Sequence, residues 1–125
     1  MLTPHEGEAR RLLDTHCNMS ARFEVVKLLH EKYMATAVLK GPGSLIYDGN
    51  CTAINRSGTA AMASAGMGDV LSGMIAALIA QGLAPSIAAQ LAVYIHGLAA
   101  QIAAKDGAKG LLASDLFVYI RRLLG

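Results

Sequence analysis

Residues 36 to 49, Thr-Ala-Val-Leu-Lys-Gly-Pro-Gly-Ser-Leu-Ile-Tyr-Asp-Gly, decide the fold class of this 125-residue chain. Thr36 to Leu39 have the composition of a buried strand. Ser44 to Tyr47 predict a second strand, which ends at the turn formed by Asp48 and Gly49. A third, short strand is expected from Cys51 to Ile54, so the middle of the chain contains a small sheet.

Helical patterns surround these strands on both sides. We predict helices over residues 6–13, 20–34, 69–81, 85–105 and 114–124. Ser20 is the expected N-cap of the second helix, whose apolar face consists of Phe23, Val26 and either Leu29 or Tyr33. The helix from Pro85 should pack on the sheet through a face of large residues, namely Ile87, Leu91, Tyr94 or Ile95, Leu98 and Ile102. Together these elements predict one α/β layered domain, with helices packed on a small central sheet.

The stretch from Val70 to Ala104 contains no Asp, Glu, Lys or Arg and is long enough for two membrane helices. Its alanine content, its polar side chains and the break at residues 81–85 favour two buried helices of a soluble protein instead. Because so few strands are available to cover these helices, we expect a homo-oligomer. Its subunits would join through helix faces or the exposed leading strand and bury on the order of 1,200 Å² or more.

Charge and cysteine content exclude several classes of protein. The formal net charge is +2 and the basic residues are scattered, so nucleic acid is not an expected partner. Cys17 and Cys51 stand alone, which indicates neither a disulfide framework nor a zinc site. The chain opens without a basic leader and an apolar signal segment, so we expect a cytoplasmic protein.

Small residues directly precede a predicted helix in residues 65–73, Ala-Gly-Met-Gly-Asp-Val-Leu-Ser-Gly. Gly66 and Gly68 allow successive backbone N–H groups to converge with the positive end of the helix dipole, which suits a transferring phosphoryl group. Asp69 beside this pocket can accept the proton of an attacking hydroxyl, as a general base. The alternative is that Asp69 only caps a helix after a glycine turn.

Two further places are candidates for ligand contact. Lys40-Gly41-Pro42-Gly43-Ser44 follows a buried strand and could approach a nucleotide phosphate or ribose, or it could be an ordinary turn between strands. His5, at the end of the opening Leu-Thr-Pro-His segment, could contact a substrate phosphate or carboxamide, or lie in an exposed loop. His96 lies on an apolar helix and is interpreted as a packed, hydrogen-bonded core residue.

Five motifs resemble, in order, those of the C-terminal half of NAD(P)H-hydrate dehydratases. They are TPHEGE (3–8), LKGPGS (39–44), AMASAGMGDVLSGMIAALIAQGL (61–83), AVYIHGLAAQIAA (92–104) and GLLASDL (110–116). The resemblance covers nearly the whole chain, and the run through MGDVLSG separates this family from sugar and vitamin kinases of the same ribokinase-like fold. It implies that residues 1–125 form a partial ribokinase-like domain.

The resemblance also implies a reaction. Such an enzyme uses ATP or ADP, with Mg²⁺ expected, to phosphorylate the hydroxyl of hydrated NADH or NADPH and then eliminates phosphate. By the same resemblance His5 and Asp69 meet the hydrated dinucleotide. The residues Lys40, Gly41, Pro42, Gly43, Ser44 and Gly68 correspond to the nucleotide site, and Gly66 and Met67 complete the anion pocket. Two alternatives stay open: a catalytically incomplete nucleotide-binding remnant, and a small-molecule kinase of the same fold.

The chain departs from the family pattern at three places. The family usually has His-Pro-Gly-Glu where this chain has His5-Glu6-Gly7-Glu8, and Pro-Gly where it has Ala60-Ala61. Ala65 replaces a glycine, which would add strain of about 1 kcal/mol or more if that position needs a positive φ. The family's N-terminal half, which supplies early strands and much of the substrate pocket, has no counterpart in these motifs.

Overall fold

The computed structural model of the chain describes residues 1–14 and 18–125. These residues form five helices and a three-stranded sheet. The elements in chain order are α1 (Glu6–Leu13), α2 (Arg22–Tyr33), β1 (Ala37–Leu39), β2 (Leu45–Tyr47), β3 (Thr52–Ile54), α3 (Met67–Ala80), α4 (Pro85–Ala103) and α5 (Leu116–Leu124), with 3₁₀ turns at Ala60–Met62 and Ala113–Asp115. The five predicted helices and the three predicted strands of the sheet are all present, with boundaries displaced by at most two residues.

The sheet separates two apolar layers. Its strands are antiparallel in the order β1-β2-β3, with Val38 opposite Ile46. Because successive side chains point to opposite faces, Leu39 and Leu45 pack with α1 and α2, whereas Val38 and Ile46 pack with α3 and α4. A third apolar cluster joins α3, α4 and α5. This arrangement confirms the predicted α/β layered domain.

The N-terminal segment runs beside β1 and is parallel to it. Leu2 makes a single bridge with Ala37, and the Lys40 N–H donates to the Pro4 carbonyl at 2.8 Å. The predicted leading strand is therefore reduced to one bridge at the edge of the sheet. Its course brings His5 and the start of α1 to the carboxyl end of β1, next to Lys40.

The prediction that Ser20 is the N-cap of α2 is wrong. The N-cap is Ala21 and no side chain caps this helix, because the chain before it turns through an Asn18 Oδ1 that accepts the Ser20 N–H at 3.0 Å. Val26 and Leu29 are buried as predicted, whereas Phe23 is half exposed and Tyr33 is exposed as well. Val25 completes the buried face of α2, because α1 and β1 pack against that side of the helix.

The predicted apolar face of α4 is only partly confirmed: Ile95 is buried and Leu91 packs against two apolar clusters, but the remaining members are half-buried or exposed. Ile87 and Tyr94 are each 53% exposed, and the buried side consists of small residues, namely Ala88, Ala89, Ala92, Gly97, Ala99, Ala100 and Ala103 together with Val93, Ile95 and His96. Small side chains allow α3 and α5 to pack closely on α4, so close helix packing outweighs the burial of the largest residues. By length and composition alone α4 could span a membrane, and 56% of its apolar window is buried in this fold.

Candidate anion-binding cleft

A cleft of about 900 Å³ opens between the carboxyl end of β1 and the start of α3. It brings together most of the predicted site residues: His5, Lys40, Gly41, Pro42, Gly43, Ser44, Met67 and Gly68. Its other walls are the loop between β3 and α3 and three residues of α4, namely Val93, His96 and Gly97. Segments far apart in the sequence therefore meet at one concave site, as ligand sites usually require.

The first turn of α3 presents unpaired N–H groups. The N-cap is Gly66, in a left-handed conformation with φ of 84°, and no side chain caps the helix. The Gly66 carbonyl accepts from the N–H groups of Asp69 and Val70, whereas those of Met67 and Gly68 have no acceptor among the described residues. Such N–H groups, together with the helix dipole, favour an anion.

Lys40 places a positive charge at the same point. A Cβ built on Gly68 would lie only 2.8 Å from the Lys40 Nζ, so the ammonium occupies the space that a side chain would need. The Lys40 side chain is 22% exposed, and its Nζ lies 3.5 Å from the Glu8 Oε2. A side chain at position 68 would therefore displace the ammonium from the helix start.

Two predicted residues do not line this cleft. Asp69 is exposed on the first turn of α3, and its assigned role as general base stays a prediction. It is the third residue of the helix, so the alternative that it serves as N-cap is wrong. Gly66 shapes the left-handed turn and faces Ala113, whose Cβ lies 3.2 Å from the position of an added Cβ.

His5 has a defined structural role beside its place in the cleft wall. Its Nδ1 accepts from the Glu8 N–H at 3.2 Å, and the Glu8 carboxylate accepts from the His5 N–H at 2.8 Å, which makes a capping box at the start of α1. The hydrogen bond from the His5 main chain, aided by the Lys40 ammonium, lowers the pKa of Glu8. His5 is exposed, as the alternative interpretation expected, and it still lines the cleft.

His96 is buried in the wall of the cleft at 5% exposure. Burial lowers its pKa to about 4, although the main chain of Met67 partly opposes the shift, so the imidazole is neutral at pH 7. The Nε2 atom has no hydrogen-bond partner among the described residues. The predicted burial is thus confirmed, but the expected hydrogen bond is not found at this nitrogen.

The sequence interpretation missed the loop that follows β3. Residues 55–60 and 62–64 line the cleft, and Arg56 there is exposed. The loop is fixed to α4, because the Ser57 Oγ donates to the Tyr94 carbonyl at 3.0 Å and an added Cβ on Gly97 would lie 2.8 Å from the Gly58 N. The available signal was a run of polar residues and glycine that leads into the predicted anion pocket.

The replacement of a family glycine by Ala65 adds no backbone strain. Among the described residues other than glycine, only Asp14 and Met34 have a positive φ. The position accepts alanine because the left-handed turn lies one residue later, at Gly66.

Comparison with known proteins gives a consistent result. A family model described as NAD(P)H-hydrate dehydratase matches residues 1–122. The chain is similar to the bifunctional NAD(P)H-hydrate repair enzyme of Coxiella burnetii, with 48% identity over 128 residues that include 99% of the chain. It is also similar to a crystal structure of the ADP/ATP-dependent NAD(P)H-hydrate dehydratase of Bacillus subtilis co-crystallized with ATP and Mg²⁺, with a TM-score of 0.87 and 32% identity over 98% of the chain.

A ribokinase-like superfamily protein of Enterococcus faecalis is more distant, with a TM-score of 0.73 and 29% identity over 97% of the chain. These likenesses confirm the predicted ribokinase-like fold. The chain spans 26% of the Coxiella protein, 46% of the Bacillus chain and 44% of the Enterococcus chain. Each of these proteins therefore contains large segments with no counterpart in this chain.

Proposed function

Since this chain belongs to the NAD(P)H-hydrate dehydratase family, we propose that it carries the nucleotide-binding and phosphate-handling part of a nucleotide-dependent dehydration of hydrated NADH and NADPH. The observation that carries the proposal is the Lys40 ammonium beside Gly68, at the open start of α3. A cation, free N–H groups and a helix dipole act together there on a transferring phosphoryl group.

The charges of the cleft suit a polyanion. His5, Lys40, Arg56 and His96 are the ionisable residues among its described lining, which includes no Asp or Glu. Glu8 lies behind Lys40 and neutralises part of its charge. The remaining positive potential favours the phosphates of ATP or ADP, and the naming of the Bacillus relative as ADP/ATP-dependent supports the same nucleotides.

In this reaction the residues at the start of α3 and Lys40 have separate roles. Asp69 accepts the proton of the hydroxyl on the hydrated nicotinamide ring while that oxygen attacks the terminal phosphorus of the nucleotide. Lys40 and the N–H groups of Met67 and Gly68 stabilise the phosphoryl charge. The bond from that phosphorus to the rest of the nucleotide breaks, so ATP leaves as ADP, or ADP as AMP. The ring nitrogen then donates its electron pair as the C–O bond breaks and phosphate leaves, and loss of a proton from the neighbouring ring carbon restores NADH or NADPH.

Mg²⁺ fits this site as an ion that arrives with the nucleotide. The described residues contain no cluster of three or more His, Cys, Asp or Glu that could hold a metal. Mg²⁺ usually retains several waters and binds largely through the substrate phosphates, so with Asp69 assigned as the base the nucleotide phosphates would hold the ion here. When bound, the ion would neutralise phosphate charge.

Crystals soaked with ADP, or with sulfate as a stand-in, test the phosphate position. We expect the anion within hydrogen-bond distance of the Met67 and Gly68 N–H groups and the Lys40 Nζ. An anion bound at the start of α2 instead would rule out the pocket. ADP binding at this point without recovery of reduced nicotinamide from the hydrate would identify the chain as a nucleotide-binding remnant.

Self-association is part of the same proposal. Four large apolar side chains near the C-terminus are at least half exposed: Leu112, Phe117, Val118 and Leu124. Ile87 and Tyr94 of α4 are exposed to a similar extent. We expect a homodimer through these helix faces or across the Leu2 edge, and light scattering at low micromolar concentration should show it. A stable monomer of 13.0 kDa would contradict this part of the proposal.

A further inference from the structure

Arg22, the first residue of α2, reaches the turn between β1 and β2. Its Nη1 donates to the carbonyls of Pro42 at 2.6 Å and Gly43 at 3.2 Å, and its Nη2 donates to the Leu39 carbonyl at 3.4 Å. Its Nε lies 3.4 Å from the Glu6 Oε1, and the side chain is 21% exposed. The guanidinium therefore links α2 to β1 and the turn by hydrogen bonds from its two Nη atoms, whereas its contact with Glu6 of α1 is an ion pair in which the Nε makes no hydrogen bond to a described residue.

This contact also determines which way the turn presents its N–H groups. The chain has no cis peptide among its described residues, so each N–H points opposite to the carbonyl of the same peptide unit. Since the carbonyls of Pro42 and Gly43 face Arg22, the N–H groups of Gly43 and Ser44 face away from it. Neither N–H has an acceptor among the described residues.

The cleft lies on the side away from Arg22. Pro42 and Gly43 line both the cleft and a separate depression of about 430 Å³ that contains Arg22, whereas Arg22 does not line the cleft. Gly43 has a left-handed φ of 66°. Consecutive N–H groups around a left-handed residue form a concave nest that binds anions.

We propose that Arg22 is a positioning residue of the nucleotide site: it holds the turn so that the N–H groups of Gly43 and Ser44 bind a nucleotide phosphate oxygen from the side opposite α3. The inference rests on the proposed function, since its ligand is the nucleotide. The family resemblance already implies that this turn belongs to the nucleotide site; the inference adds Arg22 as the residue that sets the direction of its N–H groups.

Gly41 has a matching role. Its φ is 147°, and a Cβ there would lie 2.9 Å from the Arg22 Nη2. A side chain at position 41 would therefore push the guanidinium away from the turn. The backbone conformation at this position favours glycine.

The test compares ADP binding by the wild-type chain, Arg22→Gln, Arg22→Lys and the control Arg10→Gln, whose residue is exposed on α1. Calorimetry gives the affinity, and ¹H–¹⁵N spectra follow the amides of Gly43, Ser44, Met67 and Gly68. For Arg22→Gln we expect an affinity about tenfold lower or worse. At saturating ADP the shifts of Gly43 and Ser44 should be lost, while those of Met67 and Gly68 remain.

Each outcome decides between the two proposals. If the wild type does not bind ADP, the proposed function fails, and the inference fails with it. If Arg22→Gln binds as tightly as wild type and still shifts the Gly43 and Ser44 amides, only the inference is overturned. Should Arg22→Gln not fold, Arg22→Lys decides: it keeps the charge but not the paired donors, so wild-type affinity and shifts would overturn the inference.

Discussion

Helices α1 and α3 begin with the same pattern and use it in opposite ways. Each has glycine as its second residue and a carboxylate as its third: Gly7 and Glu8 in α1, Gly68 and Asp69 in α3. In α1 the carboxylate bonds back to the N-cap, and the His5 imidazole closes the remaining side. In α3 the N-cap is a glycine, no side chain caps the helix, and the carboxylate is exposed.

The difference lies in what approaches the glycine. A Cβ on Gly7 would meet the His5 ring at 3.1 Å, within the same turn, whereas a Cβ on Gly68 would meet the ammonium of Lys40 from another segment. The start of α1 is therefore satisfied by its own residues. The start of α3 leaves its first N–H groups without a side-chain cap, so the missing cap, and not the glycine-acid pair, distinguishes the two helix starts.

The largest effect is expected on turnover, at Asp69 in the first turn of α3. In an active full-length form, Asp69→Asn should lower kcat by about 10² to 10⁴, because the proton acceptor is lost. ADP affinity should change little, since the N–H groups and Lys40 remain. Steady-state kinetics and calorimetry measure both quantities, with the exposed Glu31→Gln on α2 as control. Unchanged turnover would rule out the role of Asp69 as general base.

Behind the open start, His96 should make stability depend on pH. Its folded-state pKa of about 4 lies below the ordinary 6.5, so the unfolded chain takes up the proton first. The free energy of unfolding should therefore fall as the pH drops from about 6.5 to about 4, by roughly 3 kcal/mol in total. Urea denaturation across this window should show a weaker fall for His96→Gln. An equal fall in both proteins would assign the dependence to other groups.

Gly68, in the wall of the cleft, and Gly73, on the exposed side of α3, provide a matched pair of glycine substitutions. Gly68→Ala should weaken ADP binding about tenfold, or roughly 1.4 kcal/mol, because its Cβ displaces the Lys40 Nζ. Gly73→Ala meets no atom within 4 Å and should leave affinity unchanged while it raises stability by about 0.5–1 kcal/mol. Calorimetry and urea denaturation test the pair. Equal ADP affinity of the two variants would mean that Lys40 does not serve the helix start.

The smallest effect is expected on stability, at the capped N-terminus of α1. His5→Ala should destabilise the chain by about 1 kcal/mol through loss of the cap. Glu8, whose pKa is lowered in the fold, contributes stability above its unfolded pKa near 4.5 that is lost as the pH falls through the folded value. Glu8→Gln should therefore be less sensitive to acid over that range in urea denaturation. If neither variant loses stability at neutral pH, the capping box does not hold α1.

Patterns of short range predicted most of the fold. The apolar runs at residues 36–39 and 44–47 predicted two strands, and the glycines before Asp69 predicted the start of α3 to within two residues, because both depend on neighbours in the sequence. The buried side of α4 could not be predicted in the same way. Which face a helix buries depends on how closely its neighbours approach, and alanine and glycine permit an approach that large residues prevent.

Part of the site depends on contacts that the sequence does not show. Arg22 lies in a polar helix start and reaches the turn only after α2 has packed on β1. Likewise, the loop of residues 55–64 lines the cleft because α4 holds it through Ser57, 37 positions from Tyr94. The family resemblance named the Lys40 turn and Asp69, but not these supports, whose roles follow from packing.

The single bridge between Leu2 and Ala37 has a consequence for the order in which the chain folds. The β1-β2-β3 meander joins residues close in sequence and closes short loops, whereas the N-terminal segment pairs with β1 across 35 positions. Loop closure costs more entropy for longer loops, so contacts of this kind slow folding and follow the local ones. Because His5 follows that segment and Lys40 directly follows β1, we expect this wall of the cleft to assemble after the meander.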